Sequence, residues 1–136
     1  MRLEYDVAAG DFTRAGFASS SIKKALKQLG VSPAVVKRVV IAVYEAEVNI
    51  VAHANGGRIT ADIEPDGINV VLADTGPGIP DVEKAMQKGF STASKEVREM
   101  GFGAGMGLPN IKENADSLRI ETEVGKGTTL YIYIKF

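Results

Sequence analysis

Asp74-Thr75-Gly76-Pro77-Gly78 is the stretch on which the reading of this chain turns. Alone, a carboxylate beside two glycines is an ordinary turn. Here it follows the apolar run Val70-Val71-Leu72-Ala73, so Asp74 falls where a strand ends. Upstream lies Glu45-Ala-Glu-Val-Asn49, and downstream Gly101-Phe-Gly-Ala-Gly-Met-Gly107-Leu-Pro. An acid/amide helix, a strand-end carboxylate and a glycine-dense helix start, in that order, can supply a metal ligand, an adenine reader and a phosphate cradle.

The pattern around these segments predicts an α+β domain. Leu3, Tyr5 and Val7 alternate with polar residues, which is a strand pattern. From Thr13 to Leu29, Ala15, Ala18, Ile22, Ala25, Leu26 and Leu29 recur at helical spacing, with Lys23, Lys24 and Lys27 on the other face and Gly30 as the stop. Ser32-Pro33 opens a second helix, with serine as cap and proline at the first helical position, running to about Ala54. Its valines (35, 36, 39, 40, 43) are weak helix formers, but their 3-and-4 spacing predicts a buried helix. Arg58–Glu64 and Ile68–Ala73 read as a hairpin around Pro65-Asp-Gly67, the second strand being central because Val70-Val71-Leu72 is apolar on both sides. Asp81–Lys88 suits a short helix and Gly107–Ala115 another. Leu118–Val124 and Thr128–Ile134 form the last hairpin. Strands in hairpins, not in βαβ alternation, predict a mixed, mostly antiparallel sheet with helices on one face: a two-layer α/β sandwich. The Walker glycine-lysine signature is absent, and the topology argues against a dinucleotide-binding fold.

Glu45 and Asn49 are four residues apart and share a helix face. An asparagine carbonyl suits Mg²⁺, which takes few protein oxygens and completes its shell with phosphate and water. Glu45, one turn earlier, can accept a proton from an attacking hydroxyl. Glu47 points elsewhere and reads as structural or exposed. A solvated helix face is the plain alternative for the pair taken alone. Asp74 can accept a hydrogen bond from the exocyclic amine of adenine. Gly76 and Gly78 permit close backbone approach, and Ile79 can pack on a base face. The glycines that precede the helix at Gly107 expose backbone N–H groups at a positive helix end, which suits phosphate, although a glycine hinge has the same composition. Thr128 and Thr129 can complete a base pocket with a hydroxyl, or simply serve as strand formers. Lys88, Lys95 and Arg98 are candidate phosphate contacts, and Ser91, Thr92 and Ser94 candidate phosphoacceptors. His53 is the chain's one histidine, so a histidine metal cluster is excluded.

The bulk properties narrow the partners. A chain of 136 residues suits one domain, without cysteine for disulfides or thiolate metal sites. A net charge of −1 gives no general drive toward nucleic acid. No apolar run approaches the ~20 residues of a membrane span, and the start of the chain lacks a signal-peptide core, so a cytoplasmic location is expected.

Taken together, the three segments resemble the GHKL superfamily of gyrase, Hsp90, histidine kinases and MutL, built on the Bergerat nucleotide-binding fold. Glu45…Asn49 looks like its N box, Asp74–Gly78 its first glycine box, and Gly103–Gly107 with Leu108 its second. The resemblance covers nearly the whole chain as a single histidine-kinase-like domain, with an ATP lid at about 79–104. Within the superfamily, Gly78-Ile-Pro-Asp, Lys88-Gly-Phe-Ser-Thr92 and Gly103-Ala-Gly-Met-Gly-Leu-Pro-Asn-Ile-Lys112 are similar to the anti-sigma-type serine/threonine kinases of bacterial partner-switching modules. Gly101-Phe-Gly103 extends the glycine run beyond that pattern. The resemblance implies Mg²⁺-ATP binding and phosphoryl transfer to serine or threonine of a STAS-domain protein. Glu45 would be the catalytic base and Asn49 the magnesium ligand. Asp74 would read adenine. Gly76, Gly78, Ile79, Gly103, Gly105, Met106, Gly107, Leu108 and Thr128 or Thr129 would shape the nucleotide site. It also suggests a homodimer. The alternatives are an anti-sigma factor that sequesters a sigma factor, or a nucleotide-gated regulator with little turnover. A detached histidine-kinase domain fits less well, since no phosphoacceptor-helix segment is present in the sequence.

Overall fold

The computed structural model describes residues 1–53, 55–79, 81–86 and 107–136. The expectations for Gly103, Gly105 and Met106, for Lys88, Lys95 and Arg98, for Ser91, Thr92 and Ser94, and for most of the lid lie outside the described residues.

The elements are β1 (Arg2–Val7), a 3₁₀ turn (Phe12–Arg14), α1 (Phe17–Gln28), α2 (Pro33–His53), β2 (Gly57–Glu64), β3 (Gly67–Asp74), α3 (Val82–Ala85), α4 (Gly107–Asn114), β4 (Ser117–Glu123) and β5 (Gly127–Lys135). The strands form one sheet in the order β1-β2-β3-β5-β4. Each pairing is antiparallel, so the sheet is wholly antiparallel where the sequence pattern predicted a mostly antiparallel one. β3 is paired on both sides, as its doubly apolar run requires.

Alternation assigns the two faces. Ile68, Val70 and Leu72 of β3 and Leu130, Ile132 and Ile134 of β5 are buried on the helix side. Asp74 and Thr128 continue those two inward rows to the ends of their strands, whereas Thr129, Tyr131 and Tyr133 occupy the opposite face. The outward face of β1 and β2 carries cross-strand pairs, Arg2 with Asp62 and Glu4 with Arg58.

α2 lies over the sheet between α1 and α4. Val36, Val39, Ala42, Val43, Ala46 and Ile50 put its long apolar face into the core, facing Ile22 and Leu26 of α1 and Ile111 of α4. Each buried valine, leucine or isoleucine contributes roughly 1.5–3 kcal/mol by leaving water, enough to outweigh the weak helix propensity of the valines. Pro33 is the first helical residue, and Ser32 Oγ accepts from Val35 N–H at 3.4 Å.

α1 begins at Phe17 and not at Thr13. The residues before it form the 3₁₀ turn, where Thr13 Oγ1 donates to Asp11 at 2.8 Å. Gly16, at φ +96°, breaks the helical path just before Phe17, and a tertiary contact anchors the start. The Glu47 carboxylate of α2 accepts from Ala18 N–H at 3.1 Å and Ser19 N–H at 3.3 Å, which satisfies the first free donors of α1. The other end follows the sequence signal: Gly30 N–H donates to Lys27 O and Val31 N–H to Leu26 O, both at 3.1 Å, a Schellman closure whose Val31 packs on the core.

Candidate nucleotide site

The first group of site residues sits at the end of the sheet. Asp74 is the last residue of β3, and its Oδ1 accepts from Gly76 N–H at 2.9 Å and Thr128 N–H at 3.1 Å. The first bond is an Asx turn that shapes the loop, and the second ties that loop to β5. Among the described residues Oδ2 accepts no hydrogen bond, so it is the oxygen left for a ligand donor. Thr128 is buried, and its hydroxyl lies 2.9 Å from that of Thr122, its cross-strand partner on β4. Thr122 Oγ1 in turn accepts from Ile79 N–H at 2.8 Å and lies 3.3 Å from the Gly127 carbonyl. One polar chain thus joins the ends of β3, β5 and β4 to the loop after Asp74.

Two glycines make this closure possible. Gly127 has φ +143°, and a side chain on it would run into the Asp74 carbonyl. Gly78 has φ +79°, and a Cβ there would lie 2.5 Å from Glu123 O. At Gly78, then, the backbone that approaches closely is the β4–β5 turn, which Gly125 N–H also fastens to Pro77 O at 2.9 Å. Gly76 is buried. The Ile79 side chain packs against the core cluster.

The second group lies between α2 and α4. Glu45 and Asn49 occupy one half-buried face of α2. Asn110 Nδ2 of α4 donates to Glu45 Oε1 at 3.3 Å. Gly107 opens α4 directly against Asn49. A Cβ on Gly107 would lie 3.0 Å from both Oδ1 and Nδ2 of that amide, so the glycine brings the helix N-terminus and the asparagine into contact. The Asn49 side chain makes no hydrogen bond among the described residues. The Leu108 side chain is buried in the core, which leaves its backbone N–H, in the first turn of α4, as the group that can face a ligand.

Other sequence candidates fall outside these groups. Glu47 is buried and serves α1. Thr129 is one residue from Thr128 but on the other face of the sheet. Thr122 and Asn110 also belong to the two groups, although the sequence pattern gives neither a role of its own. Thr122 was legible from period-two alternation, which puts it inward with Leu118 and Ile120. Asn110 gave no comparable signal, because its partner is 65 residues away.

A magnesium ion suits the second group in a limited way. Asn49 offers one hard oxygen beside a helix N-terminus. No cluster of three His, Cys, Asp or Glu side chains able to hold a metal occurs among the described residues. That donor set fits an ion held mostly by phosphate and water, not a resident metal.

A two-layer sandwich with a strand-end carboxylate, an acid/amide helix face and a glycine-led helix beside it is the layout of a Bergerat-type ATP-binding domain. The chain belongs to the histidine kinase-like ATPase domain family, whose profile matches residues 11–134. It is similar to the serine/threonine-protein kinase RsbT of Bacillus subtilis, 34% identical over 108 residues that cover 76% of this chain and 75% of that one. It is also similar to an anti-sigma F factor of Geobacillus stearothermophilus, 30% identical over 122 residues covering 85% and 80%. Among solved structures, the RsbU and RsbW domains of a Mycobacterium tuberculosis protein superpose with a TM-score of 0.64 at 15% identity, over 98% of this chain and 32% of that one, a likeness of fold.

Proposed function

We propose that this protein is a Mg²⁺-ATP-dependent serine/threonine kinase of a cytoplasmic partner-switching module that phosphorylates a STAS-domain protein. The kinase class rests on the relatives, a serine/threonine-protein kinase and anti-sigma F factors. The observation that carries the mechanism is the half-buried Glu45/Asn49 face of α2, set against the glycine-led N-terminus of α4.

Phosphoryl transfer asks the protein for positioning and electrostatic stabilisation more than for covalent chemistry. In this reading Asp74 selects adenine by accepting from its exocyclic amine, on a carboxylate already oriented by Gly76 and Thr128. Gly107 and Leu108 offer backbone N–H groups to phosphate at the start of α4. Asn49 holds Mg²⁺, which, when bound, neutralises charge on the phosphates. Glu45 takes the proton from the attacking serine or threonine hydroxyl. By family resemblance the protein works as a homodimer, with residues 79–104 as its lid.

A second reading, an anti-sigma factor that sequesters a sigma factor and uses phosphorylation as its release, is favoured by the anti-sigma F relatives. One experiment addresses both. The protein is incubated with γ-labelled ATP and candidate STAS proteins, then used in a pull-down with the candidate sigma factors. Acid-stable phosphoserine or phosphothreonine on a STAS protein is the expected result. ATP binding with no transfer to any STAS protein, or an acid-labile phosphohistidine product, would contradict it.

A further inference from the structure

α4 touches both polar residues of the α2 face. Its N-terminus abuts Asn49, and one turn later Asn110 reaches Glu45. We infer that Asn110 is a positioning residue that orients the Glu45 carboxylate for proton abstraction. This rests on the reading of Glu45 as the base.

The chemistry of the contact has one sense. A carboxylate only accepts, so the Asn110 amide must turn its NH₂ group toward Oε1. With Oε1 engaged at 3.3 Å, Oε2 is left to receive the proton of an incoming hydroxyl. This is the one side-chain hydrogen bond Glu45 makes among the described residues. Without it the carboxylate keeps its side-chain rotamer freedom, and a base must be in reach of the proton it takes.

Asn110 can hold Glu45 because α4 itself is held. Leu108 and Ile111 are buried on the core. Asn114 Nδ2 donates to the Asn110 carbonyl at 2.8 Å. The Arg38 guanidinium of α2 donates to Asn114 O at 3.1 Å and to the Asp116 carboxylate at 3.2 Å, and Asp116 also accepts from Lys135 N–H at 2.7 Å. The amide is therefore presented from a helix pinned to both α2 and β5. The same helix begins at the glycine box, so one rigid element connects the phosphate-facing N-terminus to the base.

The test is a double-mutant cycle read by single-turnover phosphotransfer to a STAS substrate, with ATP affinity and melting temperature measured in parallel. Asn110→Ala removes the donor, and Asn110→Leu removes it at a similar side-chain size without adding a charge beside Glu45. Both are expected to slow transfer by about tenfold, the effect of one hydrogen bond to a charged group, with ATP Kd and melting temperature unchanged. In a Glu45→Gln background Asn110→Ala is expected to add nothing. Full transfer by both Asn110 variants beside an inactive Glu45→Gln overturns the inference alone, as does a tenfold loss that persists in the Glu45→Gln background. Wild-type transfer by Glu45→Gln overturns the base assignment, and the inference with it.

Discussion

The two halves of the site are finished to different degrees. At the sheet end, Asp74 Oδ1 is satisfied twice by backbone, Thr128 and Thr122 satisfy each other, and Ile79 closes the loop onto Thr122. Between α2 and α4, Glu45 has one long hydrogen bond and the Asn49 amide has none among the described residues. A closed network holds a shape before anything binds, which suits recognition. Open polar groups on a firm helix pair suit a partner that brings its own ligands, as a metal-bound phosphate does. On the proposed reading, the sheet end selects the adenine, and the helix pair receives the phosphates and the proton.

The largest effect that can break this division is on rate. Glu45→Ala should lower phosphotransfer by about 10²–10⁴-fold, the usual worth of a positioned base, while ATP affinity by calorimetry stays at the wild-type value. Full transfer in that variant would remove the helix pair from the chemistry.

Next comes a control on the neighbouring acid. Glu47 is 3% exposed and caps α1. Glu47→Ala should cost about 2–4 kcal/mol of stability in urea titrations, because two buried N–H groups lose their acceptor. Transfer per folded molecule should be kept. A stable but inactive Glu47→Ala would mean that this acid belongs to the site.

Asp74→Asn should weaken ATP binding by roughly 10–100-fold, from loss of a charge-assisted hydrogen bond, with little change in the rate at saturating ATP. Thr122→Val tests the closed network directly. It leaves Ile79 N–H without its acceptor and should cost about 1 kcal/mol of stability, with a parallel but smaller loss of ATP affinity. An unchanged melting curve would show that the polar chain is not what holds the loop.

The smallest effect concerns the clamp behind α4. The Lys135 backbone N–H, and after it the Arg38 guanidinium, hold the Asp116 carboxyl below the ordinary carboxylate range. A depressed folded-state value means that the contribution of Asp116 is present above the unfolded carboxylate range and fades as pH falls through the folded one. Wild type should therefore melt slightly above Asp116→Asn at neutral pH, and the two should converge in acid. A difference that survives or grows in acid would contradict the clamp.

How far the sequence discloses these regions depends on how local their causes are. Strand alternation from Ile68 to Leu72 and from Leu130 to Ile134, and the 3-and-4 spacing of the α2 valines, are local patterns, and the sandwich follows from them. The Schellman end of α1 is also local, marked by Gly30. Its start is only partly so: Gly16 breaks the path locally, but Glu47 lies 28 and 29 residues from the N–H groups it accepts. The sheet-end group was half legible: Asp74 stood out at a strand terminus, but choosing Thr128 over Thr129 required the register of β5. Asn110 lies within the Gly103–Lys112 stretch that carries the family likeness, but its contact with Glu45 has no local signal, because the partner is 65 residues away.

The most direct test measures binding and turnover on the same two variants. ATP Kd and single-turnover phosphotransfer to a STAS protein are determined side by side for Asp74→Asn and Glu45→Ala. A crossed result is expected, with Asp74→Asn weak in binding and near normal in rate at saturation, and Glu45→Ala normal in binding and slow in transfer. If both variants lose binding and rate together, or if Glu45→Ala transfers phosphate at the wild-type rate, the division between the two halves of the site is wrong.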